Sequence, residues 1–210
     1  MAAVAPFGMR PVGTLSGAPW QASVKQYLIP AADGTAVFVG DMLKTDGGSG
    51  AANTIVNGID CSGMPTGIQG NHATATVNVV GVVVGFLPDH SNLSTRYRLA
   101  STNRIALVCT APDAIYEIQE DGVGGTCLAA NAGGGMATLT ADTGNTTTGV
   151  SKNSIDSSVA ITTTQTLPVK VLGLSRKPGA RVGTSATDVA TWEVVINSSA
   201  WILRPAGLAA

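Results

Sequence analysis

The stretch TATVNVVGVVVGF, residues 74–86, decides the fold class. It is rich in valine and threonine, whose branched β-carbons favour pleated strands over helices. Both of its faces are apolar, which is typical of a strand at the centre of a packed barrel. Gly81 and Gly85 interrupt the run and predict bulges or bends. The apolar run is shorter than the roughly 20 residues of a membrane-spanning helix, so we expect no membrane partner.

Outside this stretch the same signal recurs along the whole chain. Threonine (24 residues) and glycine (26) are abundant, whereas leucine, glutamate and lysine are scarce. About ten short strands at roughly ten-residue spacing predict an all-β protein, a β-barrel or sandwich. The predicted strands cover residues 24–29, 36–39, 42–44, 54–56, 74–86, 104–109, 115–119, 158–164, 167–174, 192–196 and 201–203, with a final hairpin turn at 197–199. Residues 46–50 and 61–70 read as loops, and 126–131 as one short helical turn.

The first 23 residues differ from the rest. Three prolines exclude a regular helix here, yet the segment carries Phe7, Met9, Leu15 and Trp20, which a solvated tail would not. We therefore predict an extended N-terminal arm over 1–23, and packing on a neighbouring molecule or on its own domain remain equal alternatives. Residues 24–210 form the β domain, and a division into two packed β subdomains near 88–103 is left open.

Charge is sparse and balanced. The chain has 12 basic and 13 acidic residues and a net charge of −1. This weighs against a nucleic-acid partner, which needs a clustered positive excess, and against disorder. Spread over the roughly 9,000 Å² expected for this mass, 25 charges leave one per roughly 360 Å², about half the usual density. Such a surface is poorly protected against association, which indicates that partners cover much of it.

Groups that could carry chemistry are few. The three cysteines form no CxxC pair, and neither His72 nor His90 belongs to a recognisable nucleophile motif. The glycine-rich runs at 122–125 and 133–135 lack the lysine and hydroxyl residue of a phosphate loop. We therefore predict no enzyme, no cofactor and no metal.

Two groups of polar and charged residues are better explained by structural roles than by chemistry. Glu117 and Gln119 share one side of a predicted strand, and we expect that side to face solvent. Arg96, Arg98 and Arg104, with Tyr97 between the first two, are too few for a nucleic-acid surface, which favours an ion-pair or subunit-contact role.

Several short motifs resemble a known family. They are PFGMRPVG at 6–13, YLIP at 27–30, FVGD at 38–41, GVVVGF at 81–86 and YEIQED at 116–121. In this order they resemble the capsid decoration, or cement, proteins of tailed bacteriophages. The resemblance implies a β-rich virion protein that is made in the host cytoplasm and stabilises an icosahedral shell by binding its outer surface at capsomer junctions. It implies the major capsid protein as partner and a homo-oligomer, with a trimer favoured over a dimer. It carries no active site.

The expected contact residues combine large apolar anchors with basic groups. They are Phe7, Arg10, Trp20, Arg96, Tyr97 and Arg98.

Other functions compete with this one. A tail-tube or head-completion protein is the main alternative, and tail-tube subunits are also β-rich and of similar size. A major capsid protein is disfavoured because the chain has no long amphipathic helix. A glycan-binding module would need exposed aromatic rings, and we expect Trp192 to lie in the core instead.

Overall fold

The computed structural model describes residues 5–70, 79–163, 167–178 and 180–197. The all-β prediction is confirmed, with 42% strand against 3% helix. The described strands are β1 (Arg10–Thr14), β2 (Val24–Ile29), β3 (Met42–Ser49), β4 (Ile55–Val56), β5 (Ile59–Asp60), β6 (Pro65–Gln69), β7 (Val79–Phe86), β8 (Arg104–Cys109), β9 (Ala114–Gln119), β10 (Met136–Ala137), β11 (Leu139–Thr140), β12 (Ser154–Ile155), β13 (Val169–Leu174) and β14 (Thr191–Ile196). Two 3₁₀ turns cover Trp20–Ser23 and Val123–Gly125. Within the described ranges, no helix is long and apolar enough to cross a membrane.

Five strands close into a barrel in the order β2-β6-β3-β7-β8. All pairs are antiparallel except β2 with β6, which run parallel at Leu28 and Thr66. β7 lies between β3 and β8, and its first five residues are buried. This position explains why its sequence is apolar on both faces.

β7 carries two irregularities at the predicted glycines. The register against β3 shifts between Val79 and Gly81, and the register against β8 shifts between Val83 and Gly85. Gly81 has φ of 155°, and a β-carbon there would lie 1.9 Å from the carbonyl oxygen of Cys109. The predicted bulges are confirmed, and at Gly81 only glycine fits.

A second, five-stranded sheet has the order β1-β9-β14-β13-β10. It packs on the barrel through a shared core that includes Met42 and Val82 from the barrel with Tyr116 and Trp192 from the sheet. Trp192 is buried, as predicted. Residues 88–103 connect β7 with β8 of the barrel, and the chain passes from the barrel to the second sheet at 110–113, between β8 and β9.

The N-terminal segment forms part of this sheet from residue 10 onward. β1 pairs with β9, and Met9 just before it is buried in the shared core. Of the two alternatives left open for the arm, its described part packs on its own chain.

Several local predictions need correction. Residues 46–49 continue β3, and 65–69 form β6, because both glycine-containing stretches are held by barrel partners that local sequence does not reveal. Residues 36–39 and 158–164 form only isolated bridges in their described parts, and the 3₁₀ turn at Val123–Gly125 precedes the predicted helical turn. His72, residues 74–78, the turn at 198–199 and the strand at 201–203 lie outside the described residues.

Candidate functional site

Three of the predicted contact residues lie together at a groove between the N-terminal segment and the barrel. The groove has a volume of about 460 Å³ and an apolar lining. One wall comes from the N-terminal segment and the other from the barrel and a neighbouring loop; the lining residues are Phe7, Met9, Arg10, Pro11, Trp20, Val39, Gly40, Val83, Val84 and Val150. Phe7, Trp20 and Val84 are half-buried, so large apolar side chains are presented at a concave surface.

Arg10 stands at the edge of this groove. Its guanidinium lies 4.8 Å from the centre of the Phe7 ring, and its Nη2 donates a 2.8 Å hydrogen bond to Oε2 of Glu117. Lys177 donates to the same oxygen, and the Ser175 hydroxyl donates to Oε1 at 2.8 Å. Arg10 therefore ties β1 to β9 through a carboxylate shared with the segment after β13.

Glu117 is an internal anchor, not a solvent-facing residue. It is 2% exposed and Gln119 is 5% exposed, so the prediction of a solvated side was wrong. Burial raises the pKa of the Glu117 carboxyl, but the hydrogen bonds from Lys177, Arg10 and Ser175 outweigh it and leave the pKa below its ordinary value. The sequence could not reveal this, because Arg10 is 107 residues away.

The other predicted contact residues lie in the connection between β7 and β8. Arg96 is exposed, Tyr97 is half-buried, and Arg98 has no solvent exposure. The Tyr97 ring stacks on Phe38 with centroids 4.7 Å apart. The structure therefore leaves Arg96 and part of Tyr97 accessible at this end of the barrel, and it places Arg98 where no partner can touch it.

Arg98 holds a loop of its own chain. Its guanidinium donates to the carbonyl oxygens of Pro30, Asp33, Thr35 and Thr102 at 2.5–2.8 Å. Its Nη1 also lies 3.9 Å from the Asp33 carboxylate. The ion-pair alternative for this cluster thus describes Arg98 better than a subunit contact.

Arg104 acts similarly on the connection itself. It donates to the carbonyl oxygens of Tyr97 and Thr95, and its guanidinium lies 5.2 Å from the centre of the Phe86 ring. Its Nε is buried without a hydrogen-bond partner among the described residues. Two of the three clustered arginines therefore fix loops instead of presenting charge.

Two further carboxylates, those of Asp41 and Glu120, are buried and hydrogen-bonded. Asp41 accepts hydrogen bonds from the Phe38 amide at 2.8 Å and from the side chains of Gln69 and Asn153 at 3.2 and 2.8 Å. Burial raises the pKa of Asp41 although these bonds oppose the rise. Asn153 follows the barrel by more than 40 residues, so Asp41 connects the barrel to the loop before β12.

Glu120 is the second such carboxylate. It is completely buried and accepts hydrogen bonds from the amides of Leu128 and Ala190 at 2.7 Å and from the Trp192 indole at 3.3 Å. These donors occupy the oxygens that a catalytic acid or base would need free. Glu120 and Asp41 therefore connect distant segments of the fold through hydrogen bonds.

Other large apolar side chains of the described residues are exposed to solvent. They are Val12, Leu15, Ile55, Ile59, Leu93, Leu99, Val123 and Val159. Three of them lie on two elements that contact each other: Ile55 and Ile59 on the β4–β5 hairpin, and Leu93 on the connection between β7 and β8. The contact is a 2.8 Å hydrogen bond that Asn57, in the hairpin, donates to the Pro88 carbonyl oxygen. We call Ile55, Ile59 and Leu93 the barrel-end patch.

Among the residues that the structure describes, no group of three or more His, Cys, Asp and Glu side chains could hold a metal ion. The cysteines are free thiols; Cys61 and Cys109 are buried and Cys127 is half-buried. Comparison of the chain with protein-family models, curated proteins and solved structures finds no match in any of the three.

Proposed function

We propose that this protein is a virion structural protein that decorates the outer surface of an icosahedral phage capsid and stabilises it. The observation that carries the proposal is the low density of charge on the surface. Among the described residues six charged side chains are buried, so at most 19 of the chain's 25 charges lie on its 10187 Å² of accessible surface. This is about one charge per 540 Å², whereas a soluble monomer normally keeps a dense, mixed charge on its surface.

The exposed apolar side chains support the same proposal. Leu93 is 77% exposed, Leu15 is 61% exposed and Ile55 is 59% exposed. Isolated exposed apolar residues are ordinary, but several in adjacent elements on a weakly charged surface favour a protein contact. Arg96, which is accessible, lies on the same β7–β8 connection as Leu93 of the barrel-end patch. We therefore propose that this end of the barrel contacts the shell.

A rigid body suits such a role. The closed barrel and the sheet share one core, and their buried charges are held by hydrogen bonds. A ligand that binds the assembled shell and not free subunits stabilises the assembly in proportion to its occupancy. Engagement of several subunits by a homo-oligomer, a trimer in preference to a dimer, would add avidity without new contacts. The major capsid protein is the partner that this role requires.

Binding to isolated virion parts tests the proposal. Purified protein is mixed with shells that lack it and, separately, with tails, and each mixture is sedimented and imaged by cryo-electron microscopy. We expect saturable binding to the outer shell surface and none to tails. Density in the tail tube or at the head-completion ring, or no shell binding at saturating protein, would contradict decoration.

A matched pair of variants tests the contact face. We expect Leu93→Asp to weaken shell binding at least about tenfold, because it places a charge in an apolar contact. Val123→Asp, at an exposed position following β9, should bind like the wild type. Equal loss in both variants, or in neither, would remove the barrel-end patch from the interface.

A further inference from the structure

The groove between β1 and β7 presents one cation beside apolar side chains. Arg10 is the one charged residue among those that line it, and its side chain is 55% exposed. Nη2 of Arg10 donates to Glu117, and Nε and Nη1 have no hydrogen-bond partner among the described residues. Phe7, Trp20 and Val84 are half-buried on the groove walls. The groove therefore suits an occupant that combines an apolar side chain with a carboxylate.

The turn that follows β1 carries such a combination at the surface. Residues 15–19 are all exposed, and Leu15 is the most exposed large apolar side chain among the described residues outside the barrel-end patch. The Leu15 amide donates to the carbonyl oxygen of Asp113 at 2.9 Å, and the Ser16 amide donates to the Asp113 carboxylate at 3.1 Å. An exposed leucine is thus held beside a carboxylate.

Hydrogen bonds hold this turn in one conformation. The Gly17 amide donates to the Thr14 carbonyl oxygen at 3.2 Å, and the Thr14 hydroxyl donates to the Ala18 carbonyl oxygen at 2.7 Å. Hydrogen bonding from Ser16 lowers the pKa of Asp113 below its ordinary value, so the carboxylate is charged at neutral pH. A contact through a preordered turn costs less conformational entropy than a contact through a flexible loop.

The turn and the groove lie at opposite ends of β1. Arg10 and Thr14 are the first and last residues of this strand, which separates them by about 13 Å. Leu15 does not line the groove of its own chain. The two surfaces are complementary, because one offers a leucine with a carboxylate and the other offers an apolar groove with a guanidinium. A second copy of the chain is the partner that brings them together.

We propose that the Leu15 side chain of one copy packs into the groove of a second copy, where the Asp113 carboxylate beside it pairs with Arg10. Each copy presents one turn and one groove, so a closed ring of three copies uses every such surface. This inference rests on the proposed function for the homo-oligomer, which it assigns to named surfaces. Shell binding by the barrel-end patch is a separate property.

Disulfide trapping tests the contact. Leu15→Cys is combined with Val84→Cys, on the groove wall, in a Cys127→Ala background, while the other two cysteines stay because they are buried. We expect mild oxidation to link different chains, seen as covalent dimers and trimers on a non-reducing gel and as a peptide pair joining positions 15 and 84 by mass spectrometry. The control pairs Val84→Cys with Leu99→Cys, which is also exposed, and should stay unlinked.

The mass of the protein in solution, from sedimentation equilibrium, is the second measurement. Leu15→Asp should raise the dissociation constant of the oligomer at least about tenfold, because it places a further carboxylate in the apolar groove. Asp113→Asn, which keeps an acceptor for Ser16 and removes the charge, should raise it about threefold. Leu99→Asp is the matched control and should assemble like the wild type.

Other outcomes overturn the proposal. An unlinked pair at positions 15 and 84, a disulfide within one chain, or assembly that Leu15→Asp leaves unchanged would exclude the contact. The result is separable from decoration. A monomer that binds shells would overturn this inference alone, whereas an oligomer that Leu15→Asp dissociates but that binds no shell would overturn decoration alone.

Discussion

Arg98 is a charged residue that stabilises the fold from inside. Its guanidinium is removed from water, and burial lowers its pKa from the ordinary value while the Asp33 carboxylate opposes the shift. Four backbone carbonyls satisfy its donors, three of them in the 30–35 loop that leads out of β2. A buried guanidinium is tolerated when each of its three nitrogens is paired in this way.

We expect Arg98→Met to lower the free energy of unfolding by about 3 kcal/mol, because the buried carbonyls lose their donors. Arg96→Met, two residues earlier at an exposed position, should change it by less than about 0.5 kcal/mol. Urea unfolding followed by circular dichroism compares the two variants. If both are equally stable, Arg98 does not hold the 30–35 loop.

Glu117 makes stability depend on pH. Its pKa is lowered in the folded state, so its contribution is present above the ordinary carboxyl pKa of 4.5 and is lost as the pH falls through the lowered value. We expect Glu117→Gln to cost about 1–2 kcal/mol at pH 7, with the gap to wild type narrowing below pH 4.5.

Urea unfolding at several pH values measures this gap. Glu193→Gln, directly opposite on β14, is the matched control: it leaves the hydrogen bonds to Glu117 in place and should cost less stability at pH 7 than Glu117→Gln. If the difference in unfolding free energy between wild type and Glu117→Gln stays constant from pH 7 to pH 3, the carboxylate is not its origin.

At the scale of elements, the barrel depends more on Gly81 than on Gly85, the two glycines of β7. We expect Gly81→Ala to cost about 3 kcal/mol or more, because its β-carbon would overlap the Cys109 carbonyl oxygen and its φ of 155° excludes side chains. Gly85→Ala should cost less than about 1 kcal/mol, since its nearest neighbour, Leu107 Cδ1, is 3.8 Å away. Thermal unfolding of both variants checks the order, and a more stable Gly81→Ala would contradict this account of the bulge.

The strands that the sequence predicts well are those with strong local patterns. β2 and β8 have the predicted bounds, and β14 alternates buried and half-buried residues as its sequence does. β6 could not be predicted, since Pro65 and Gly67 obscure the strand pattern and its place is set by β3 and β2. A β-carbon at Gly67 would lie 2.4 Å from Leu43 Cδ2, so the glycine permits close packing and does not mark a loop.

Only the apolar residues of the candidate site could be predicted from the sequence. Phe7 and Trp20 stood out because large apolar residues are unusual in a segment rich in proline. The burial of Glu117 and Arg98 was not predictable, because their partners come from elements 60 to 107 residues away. From sequence alone, a charged residue in a strand is expected to face solvent. Only its tertiary partners show that it is buried.

At the scale of the whole molecule, the architecture limits open-ended association. The barrel is closed, and the β1 edge of the sheet carries Pro11 and a register shift between Pro11 and Gly13. Such features discourage edge-to-edge strand pairing. Contacts through side chains on a weakly charged surface, and not strand addition, are therefore the expected mode of association, as the proposed small oligomer on a preformed shell requires.

Thermal release of the genome tests the central claim most directly. Particles are stripped of this protein and heated with and without added protein, and DNA release is followed by dye fluorescence. Bound protein stabilises each site by RT ln(1 + [L]/Kd), about 2.7 kcal/mol at a free concentration 100 times Kd. We predict that stripped particles release DNA at a lower temperature and that added protein restores the higher value in a concentration-dependent manner. Equal release temperatures at saturating protein would contradict capsid stabilisation and favour a tail-tube or head-completion role.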